Sequence, residues 1–311
     1  MSEPALTFSQ KLRYGAEAAI FFLFLGFFRL LGVDAASAMG GFIGRHVLYR
    51  LGWARKAHEN LAAAFPEKSG AEREALVVQV CDNVGRTAAE YAHLDKFLMS
   101  GADPRIAVER LDIAETMRGK SVLLLSGHFA NWEIMPIAAT EFGLDGAIVY
   151  RPPNNPYVDR AIARARAWKG MKEQISKHQG TRRIFTLLRG GKAILLLADQ
   201  KTNEGIPAPF FGRDAMTTPA QAALALKLKV PVYFASNRRG QNNGKSGARF
   251  TITMHEPLVF MPSGDYEQDV RDMTVAINAR LEEMVRADPG QWLWIHRRWP
   301  TARDLHTGKR S

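Results

Sequence analysis

The pattern of apolar and polar positions changes character near residue 121. From there to residue 257, short apolar runs alternate with longer amphipathic stretches, as strands alternate with helices. Five runs are predicted to be strands: 121–125, 146–150, 192–198, 230–235 and 248–257. We therefore expect an α/β fold with a central mixed, largely parallel sheet flanked by helices.

Helical patterns flank this region on both sides. Residues 53–64 and 71–98 are predicted to be helices, and the segment FPEKSG between them breaks the pattern with a proline and a glycine. Residues 266–287 form a third amphipathic pattern, whose apolar stripe is expected to pack in the core.

The N-terminal apolar run, AAIFFLFLGFF at residues 18–28, is shorter than the roughly 20 residues that span a bilayer. Its phenylalanines cover the whole circumference of a helix, which indicates burial in protein or in lipid. A core helix, a membrane-inserted helix and a signal peptide all remain open. Basic residues at positions 11, 13, 29 and 45 favour monotopic membrane attachment.

The formal net charge of +11 predicts an anionic partner, although a generally basic soluble protein is the alternative. The sequence contains no zinc-finger spacing or aromatic-basic RNA motif, so a nucleic-acid partner is not expected. The single cysteine, Cys81, excludes a disulfide framework within one chain and is consistent with a reducing compartment.

Polar residues follow several of the predicted strands. These clusters are Ser126-Gly127-His128, Asp199-Gln200 and Ser236-Asn237-Arg238. Ligands bind outside the carboxyl ends of strands in parallel sheets. If these strands are parallel neighbours, the clusters converge on one site.

His128 and Glu133 lie on the turn after the first of these strands. On one helix they would point about 140° apart, but a turn at Gly127 can bring them together. A zinc protease motif requires a second histidine and a serine nucleophile elbow requires G-x-S-x-G, and this turn has neither. A structural histidine remains possible, as does a histidine base that a carboxylate orients.

The stretch GHFANWE resembles the H-x4-E form of the H-x4-D/E motif of glycerolipid-type acyltransferases. More specifically, the chain resembles the lipid A late acyltransferases, which are the lauroyl and myristoyl transferases of Gram-negative bacteria. The related mycobacterial phosphatidylinositol mannoside acyltransferase is also similar. Further matching blocks follow the family's order: NLAAAFPEKS at 60–69, VYRPPNNPYVDR at 149–160, ADQKTNEGIPAPFFGRDAMTT at 198–218 and PGQWLWIHRRW at 289–299.

This resemblance implies transfer of a fatty acyl chain from acyl carrier protein, or from coenzyme A, to the hydroxyl of a 3-hydroxyacyl chain on a lipid A precursor. It implies no metal and no cofactor. His128 maps to the catalytic base and Glu133 to its partner. Further motif positions are predicted to bind substrate: Arg151, Arg166, Asp199, Gln200 and Arg213.

The resemblance also implies an enzyme at the cytoplasmic face of the bacterial inner membrane, held by a monotopic or single N-terminal helix anchor. We predict a membrane-attachment segment over residues 1–45 and a catalytic domain over residues 46–311. The basic charge suits an acidic acyl carrier protein and an anionic lipid acceptor.

Three alternatives stay open at this point. The enzyme could acylate another lipid, such as a lysophospholipid, an ornithine-type lipid or a glycolipid. The protein could instead be a non-catalytic basic protein at the membrane surface, with a structural His-Glu pair. A metallohydrolase is disfavoured by the missing ligands. Two groups of aromatic residues have two possible places: Phe210 and Phe211 in an acyl groove or the core, and Trp292, Trp294 and Trp299 in the core or at the membrane interface.

Overall fold

The computed structural model describes residues 6–169, 171–176, 180–202, 204–240 and 247–299. The helices are α1 (Phe8–Leu30), α2 (Val33–Ile43), α3 (Trp53–Ala64), α4 (Gly70–Glu90), α5 (Leu111–Glu115), α6 (Ile134–Glu141), α7 (Pro156–Lys169), α8 (Thr181–Arg189), α9 (Ala220–Leu228) and α10 (Tyr266–Ala287). The strands are β1 (Ile106–Glu109), β2 (Val122–Ser126), β3 (Gly146–Tyr150), β4 (Glu173–Ser176), β5 (Ala193–Leu197), β6 (Ile206–Phe210), β7 (Arg213–Thr217), β8 (Val232–Arg239) and β9 (Phe250–His255).

The central sheet has seven strands in the order β1-β9-β8-β2-β5-β3-β4. Every neighbouring pair is parallel except β8 and β9, which are antiparallel. The prediction of a mixed, largely parallel sheet flanked by helices is therefore confirmed. β6 and β7 form a separate antiparallel hairpin.

The central strand β2 explains why the sheet has helices on both faces. All five of its residues are buried, as expected for a strand covered on both sides. Leu123 and Leu125 pack in one apolar cluster with residues of α3, α4 and α10, whereas Val122 and Leu124 pack in a second cluster with α5 and α6. The second cluster lies on the face that carries the apolar cleft described below.

A close crossing of α2 and α4 positions the helix beneath the site. A Cβ atom on Gly40 would lie 2.4 Å from the carbonyl oxygen of Gly85, and a Cβ on Gly85 would lie 2.1 Å from that of Gly40. Only glycine tolerates such an approach between two backbones. The crossing supports the C-terminal half of α4, from which Thr87 and Glu90 reach the turn after β2.

Helix α1 begins at a capping box formed by Thr7 and Gln10. Only Ala18 and Phe28 of this helix are buried, and its other apolar side chains include several that are largely exposed. Within the described ranges, no helix is both long and apolar enough to cross a bilayer. The division into a membrane-attachment segment at residues 1–45 and a catalytic domain at residues 46–311 stays a prediction.

Candidate active site

The turn between β2 and α6 carries His128, and the lack of a side chain at Gly127 leaves space for Asp199 beside it. A Cβ on Gly127 would lie 2.7 Å from the Phe129 ring and 3.0 Å from Oδ2 of Asp199. Asp199 follows β5, which pairs in parallel with β2, so the two strands end side by side. The predicted convergence of polar strand ends is confirmed for these two strands.

Asp199, and not Glu133, is the carboxylate that holds His128. Oδ1 of Asp199 lies 2.8 Å from Nδ1 of the imidazole, and its Oδ2 accepts the backbone N–H of His128 at 2.7 Å. The prediction that Glu133 is the histidine's partner is wrong in this respect. Glu133 lies at the start of α6 and turns toward α7, while the neighbouring strand end brings Asp199 to the ring.

The Asp199 carboxylate is buried and accepts several hydrogen bonds from protein groups. Burial raises its pKa, but the charge of His128 and the hydrogen bonds from His128 and the Trp292 indole outweigh burial and lower the pKa to about 2. An anionic Asp199 favours the imidazole tautomer with its proton on Nδ1, which leaves Nε2 unprotonated and able to take up a proton. The side-chain amide of Gln200 lies 3.3 Å from that Nε2 atom.

Glu133 belongs to a second buried cluster beside the first. The Arg166 guanidinium donates two hydrogen bonds to it, both at 2.6 Å, and the Tyr91 hydroxyl donates a third. Burial raises the pKa of the Glu133 carboxyl, but the hydrogen bonds and charge of Arg166 outweigh burial and lower the pKa overall. This carboxylate is therefore also anionic. The fork-to-fork geometry is the strong bidentate form of this ion pair.

One nitrogen atom of Arg166 takes no part in the contact with Glu133. Its Nη1 atom is buried and has no hydrogen-bond partner among the described residues. A buried donor of this kind is costly to leave unpaired. It is therefore available to an oxygen atom of a bound molecule.

An apolar cleft opens beside this cluster. It encloses about 480 Å³, part of which is open to solvent, between the sheet and helices α6 and α7. Its walls include Glu133, Arg166, Tyr150 and a set of aliphatic side chains: Leu124, Met135, Ile148, Val149, Leu195, Leu196 and Leu197. Trp132 lines the same cleft, and its ring centroid lies 5.0 Å from that of His128, so this one side chain contacts both the cleft and the imidazole.

A smaller polar pocket of about 220 Å³ lies at His128 as well. His296 lines it, with its ring centroid 6.0 Å from that of His128. Burial and the neighbouring charge of His128 lower the pKa of His296, which favours its neutral form. Sequence reasoning missed His296 and Tyr91. The only signal for His296 was its place in the block at 289–299, and Tyr91 had none.

The last described segment is built into the site. The backbone N–H of Leu293 donates to the carbonyl of His128 at 3.1 Å, and Ala130 donates to that of Gln291 at 2.8 Å. Trp292 donates to Asp199 and is 3% exposed. The three tryptophans at 292, 294 and 299 are all buried, so their place is the core and not a membrane interface.

The two remaining predicted arginines lie outside this cluster. Arg151 is exposed and directly follows Tyr150, which lines the apolar cleft. Arg213 is exposed on the hairpin, where it stacks 5.7 Å from the centroid of Trp299. Phe210 and Phe211 are buried core residues, so the acyl-groove alternative for them is wrong. Phe210 packs between Trp299 and Trp292, and this aromatic layer separates Arg213 from Asp199.

Among the described residues, no group of three or more histidine, cysteine, aspartate or glutamate side chains has the arrangement of a metal site. The site contains an oriented imidazole with an unprotonated nitrogen, an arginine nitrogen that has no partner in the described part of the chain, and a nearby apolar cleft. Such a set can remove a proton from a hydroxyl and stabilise an oxyanion next to a bound hydrocarbon.

Comparison with known proteins agrees with this chemistry. The family described as "Bacterial lipid A biosynthesis acyltransferase" matches residues 6–301. The chain is 25% identical over 279 residues to the lipid A biosynthesis lauroyltransferase of Escherichia coli (strain K12), covering 82% of this chain and 86% of that protein. It is 27% identical over 253 residues to the lipid A biosynthesis myristoyltransferase of the same organism, covering 78% and 73%.

Among solved structures, the chain is similar to the 1-acyl-sn-glycerophosphate acyltransferase of Thermotoga maritima. The sequence identity is 13%, the TM-score is 0.35, and the match covers 86% of this chain and 98% of that one. This likeness is too low to support an inference. The family match, in contrast, covers nearly the whole chain. The protein is therefore an acyltransferase and belongs to the bacterial lipid A biosynthesis acyltransferase family.

Proposed function

We propose that this enzyme transfers a fatty acyl chain from a thioester donor, acyl carrier protein or coenzyme A, to a hydroxyl of a lipid A precursor, with His128 as the general base. The observation that carries the proposal is the Asp199–His128 pair, whose imidazole lines the polar pocket and contacts Trp132, a wall of the apolar cleft. The names of the relatives supply the class of acceptor.

The reaction follows from this arrangement. Nε2 of His128 removes the proton of the acceptor hydroxyl while the oxygen attacks the thioester carbonyl. A carbon–oxygen bond forms, the carbon–sulfur bond breaks, and the departing thiolate takes the proton back from the imidazolium. Asp199 holds the imidazole in one orientation and stabilises its protonated form. No covalent intermediate on the enzyme is required.

Arg166 is the proposed electrophilic group. Negative charge develops on the thioester oxygen during the attack and needs a preorganised donor. The Nη1 atom of Arg166 is buried and has no hydrogen-bond partner within the described ranges, and Arg166 lines the cleft, which supports this role. Glu133 then fixes the guanidinium through its two hydrogen bonds, so the family's H-x4-E glutamate positions Arg166 and leaves the orientation of His128 to Asp199.

The apolar cleft is the proposed site of the acyl chain. Its lining is mostly aliphatic, which suits a hydrocarbon. Trp132 lines the cleft and its ring contacts that of His128. The polar pocket, which His296 and Gln200 line together with His128, is the proposed place of the acceptor hydroxyl.

We further propose that the exposed face of α1 attaches the enzyme to the cytoplasmic face of the inner membrane. Ile20 and Leu23 are 69% and 74% exposed, an unfavourable arrangement in water. α1 packs on α7, where the Asn155 amide donates to the Tyr14 carbonyl at 2.9 Å. The basic Lys11, Arg160 and Arg164 on these two helices suit anionic lipid.

Mass spectrometry tests the acyl-transfer proposal directly. The full chain is incubated in vesicles with a lipid A precursor and either an acyl carrier protein thioester or an acyl-coenzyme A. We expect the precursor to gain the mass of one acyl chain, His128→Ala to abolish the gain, and His58→Ala, at a half-exposed position on α3, to leave it unchanged. Acylation of a lysophospholipid or a glycolipid with unchanged lipid A precursor would overturn the proposed acceptor.

A further inference from the structure

The turn that carries His128 and Glu133 is held in a conformation that its sequence does not favour. Ala130 has φ of 45°, in the left-handed region that alanine rarely adopts, and it is fully buried. Its carbonyl accepts hydrogen bonds from Thr87 at 3.0 Å and from Asn83 at 3.4 Å, both on α4. A strained turn persists only when its surroundings hold it in place.

Asn131 connects this turn to the surrounding structure. Its side-chain oxygen accepts the backbone N–H of Glu133 at 3.2 Å, and its amide donates to the Glu90 carboxylate at 3.0 Å. Its own carbonyl accepts a hydrogen bond from Asn237 of β8 at 2.7 Å. Asn131 is fully buried, so water cannot replace these contacts.

Glu90 carries a charge in the interior, and Arg239 balances it. Glu90 is fully buried and accepts from the Ser37 hydroxyl at 2.6 Å, from Asn131 and from the Arg239 guanidinium. Arg239 also donates to Thr87 at 3.2 Å. The carboxylate and guanidinium therefore hold the same side chains that hold the turn.

Gln291 closes the network from the other side. Its side chain exchanges hydrogen bonds with the backbone of Arg239, at 2.6 and 3.0 Å, while its carbonyl accepts the N–H of Ala130. The ion pair is thus linked to the turn through α4, β8 and the segment after α10. A buried ion pair is a weak source of stability, since apolar residues of similar size often stabilise as well or better.

We propose that the Glu90–Arg239 ion pair is a positioning device for the reaction, which fixes the turn through Asn131 and thereby sets His128 and Glu133 at their working distances from Asp199 and Arg166. This inference rests on the proposed function. Glu90 and Arg239 are positioning residues, because the contacts described for them lead to the turn and not to the apolar cleft or the polar pocket.

The test is the double variant Glu90→Leu/Arg239→Met, which removes both charges and leaves neither one unpaired. We expect kcat per folded molecule to fall on the order of 100-fold, since small misplacements of reacting groups have effects of that size. The KM for the acyl donor should stay within about twofold, because the aliphatic lining of the cleft comes from β2, β3, β5 and α6 and not from the turn. A merely structural pair would lower the midpoint of thermal unfolding and leave kcat per folded molecule unchanged, and that result would overturn the proposal.

A matched control is the pair Arg105–Asp34, in which Arg105 is also buried and makes hydrogen bonds of 2.7 and 3.0 Å to the carboxylate. Asp34→Asn/Arg105→Met should leave kcat unchanged. If the Glu90/Arg239 double variant does not fold, Asn131→Ala decides the question, because it keeps the ion pair and removes the direct contact of Glu90 with the turn. A normal kcat in Asn131→Ala overturns the proposal. Failure of the wild-type enzyme to transfer any acyl chain would instead refute the proposed function.

Discussion

The carboxylate of Asp199 contacts His128 twice, through the ring Nδ1 at 2.8 Å and through the backbone N–H at 2.7 Å. One buried side chain therefore fixes both the position of the residue and the rotation of its imidazole. Replacing the carboxylate by an amide removes the charge and permits the wrong tautomer.

We expect Asp199→Asn to lower kcat by about 10³- to 10⁴-fold, the order seen when the orienting carboxylate of a catalytic histidine is replaced. Steady-state rates with the lipid acceptor measure the effect. Asp145→Asn is the control, because Asp145 is an exposed aspartate paired with Lys192. Both residues lie where β3 and β5 begin, at the opposite end of the parallel strands from this turn. Comparable rates in the two variants would contradict the assigned role.

Asp199 also predicts a dependence of stability on pH. Its pKa is lowered from 3.8 to about 2 in the folded state, so the folded state favours the charged form. The resulting stabilisation, about 2 kcal/mol, is fully present above pH 4 and is lost as the pH falls through 2. Urea unfolding of the wild type and Asp199→Asn should show a difference in unfolding free energy that shrinks over this range. A difference that is constant with pH would refute the shift.

Arg166→Lys should lower kcat about 100-fold. Lysine keeps the charge but cannot make the bidentate contact with Glu133 and at the same time offer an N–H group to the thioester oxygen. The KM for the acyl donor should change little. Arg183→Lys is a matched control, since Arg183 makes a similar two-point contact with Glu173 at the surface. A raised KM for the acyl donor with an unchanged kcat would indicate that Arg166 only binds substrate.

Met135 is expected to limit acyl chain length. It lines the proposed acyl cleft and also a second apolar cavity of about 330 Å³ beneath α6, and Leu124 is the other residue that both share. Met135→Ala should join the two spaces and shift the preferred donor to longer chains, as measured by competition among acyl donors of different length. Leu281→Ala, a core truncation on the other face of the sheet, should destabilise the protein without changing that preference.

Vesicle binding tests the proposed attachment surface. Leu23→Asp should lower partitioning onto anionic vesicles by roughly tenfold or more, because burial of a large apolar side chain contributes about 1.5–3 kcal/mol. Val259→Asp is the control, since Val259 is 87% exposed and belongs to the loop between β9 and α10 and not to α1. Equal losses in both variants would argue against α1 as the attachment surface.

The sequence was a good guide to the sheet and a weaker one to the contacts. Long apolar runs predicted β2, β3, β5, β8 and β9, whereas β1 and β4 were missed because each has only four residues and is partly exposed. His128 and Asp199 were both identified, but the pairing was not. The resemblance to the H-x4-E motif pointed to Glu133 as the partner of His128, while the actual partner is 71 residues away and is brought to the ring by strand pairing.

The packing of α1 on α7 bears on how the enzyme meets its acceptor. Arg166 is on α7, so the proposed attachment surface is one helix away from the reacting groups. An enzyme attached in this way searches for its lipid in two dimensions. Its turnover should then follow the mole fraction of acceptor in the bilayer, and dilution with inert lipid should slow the reaction even when the total amount of acceptor in the sample is constant.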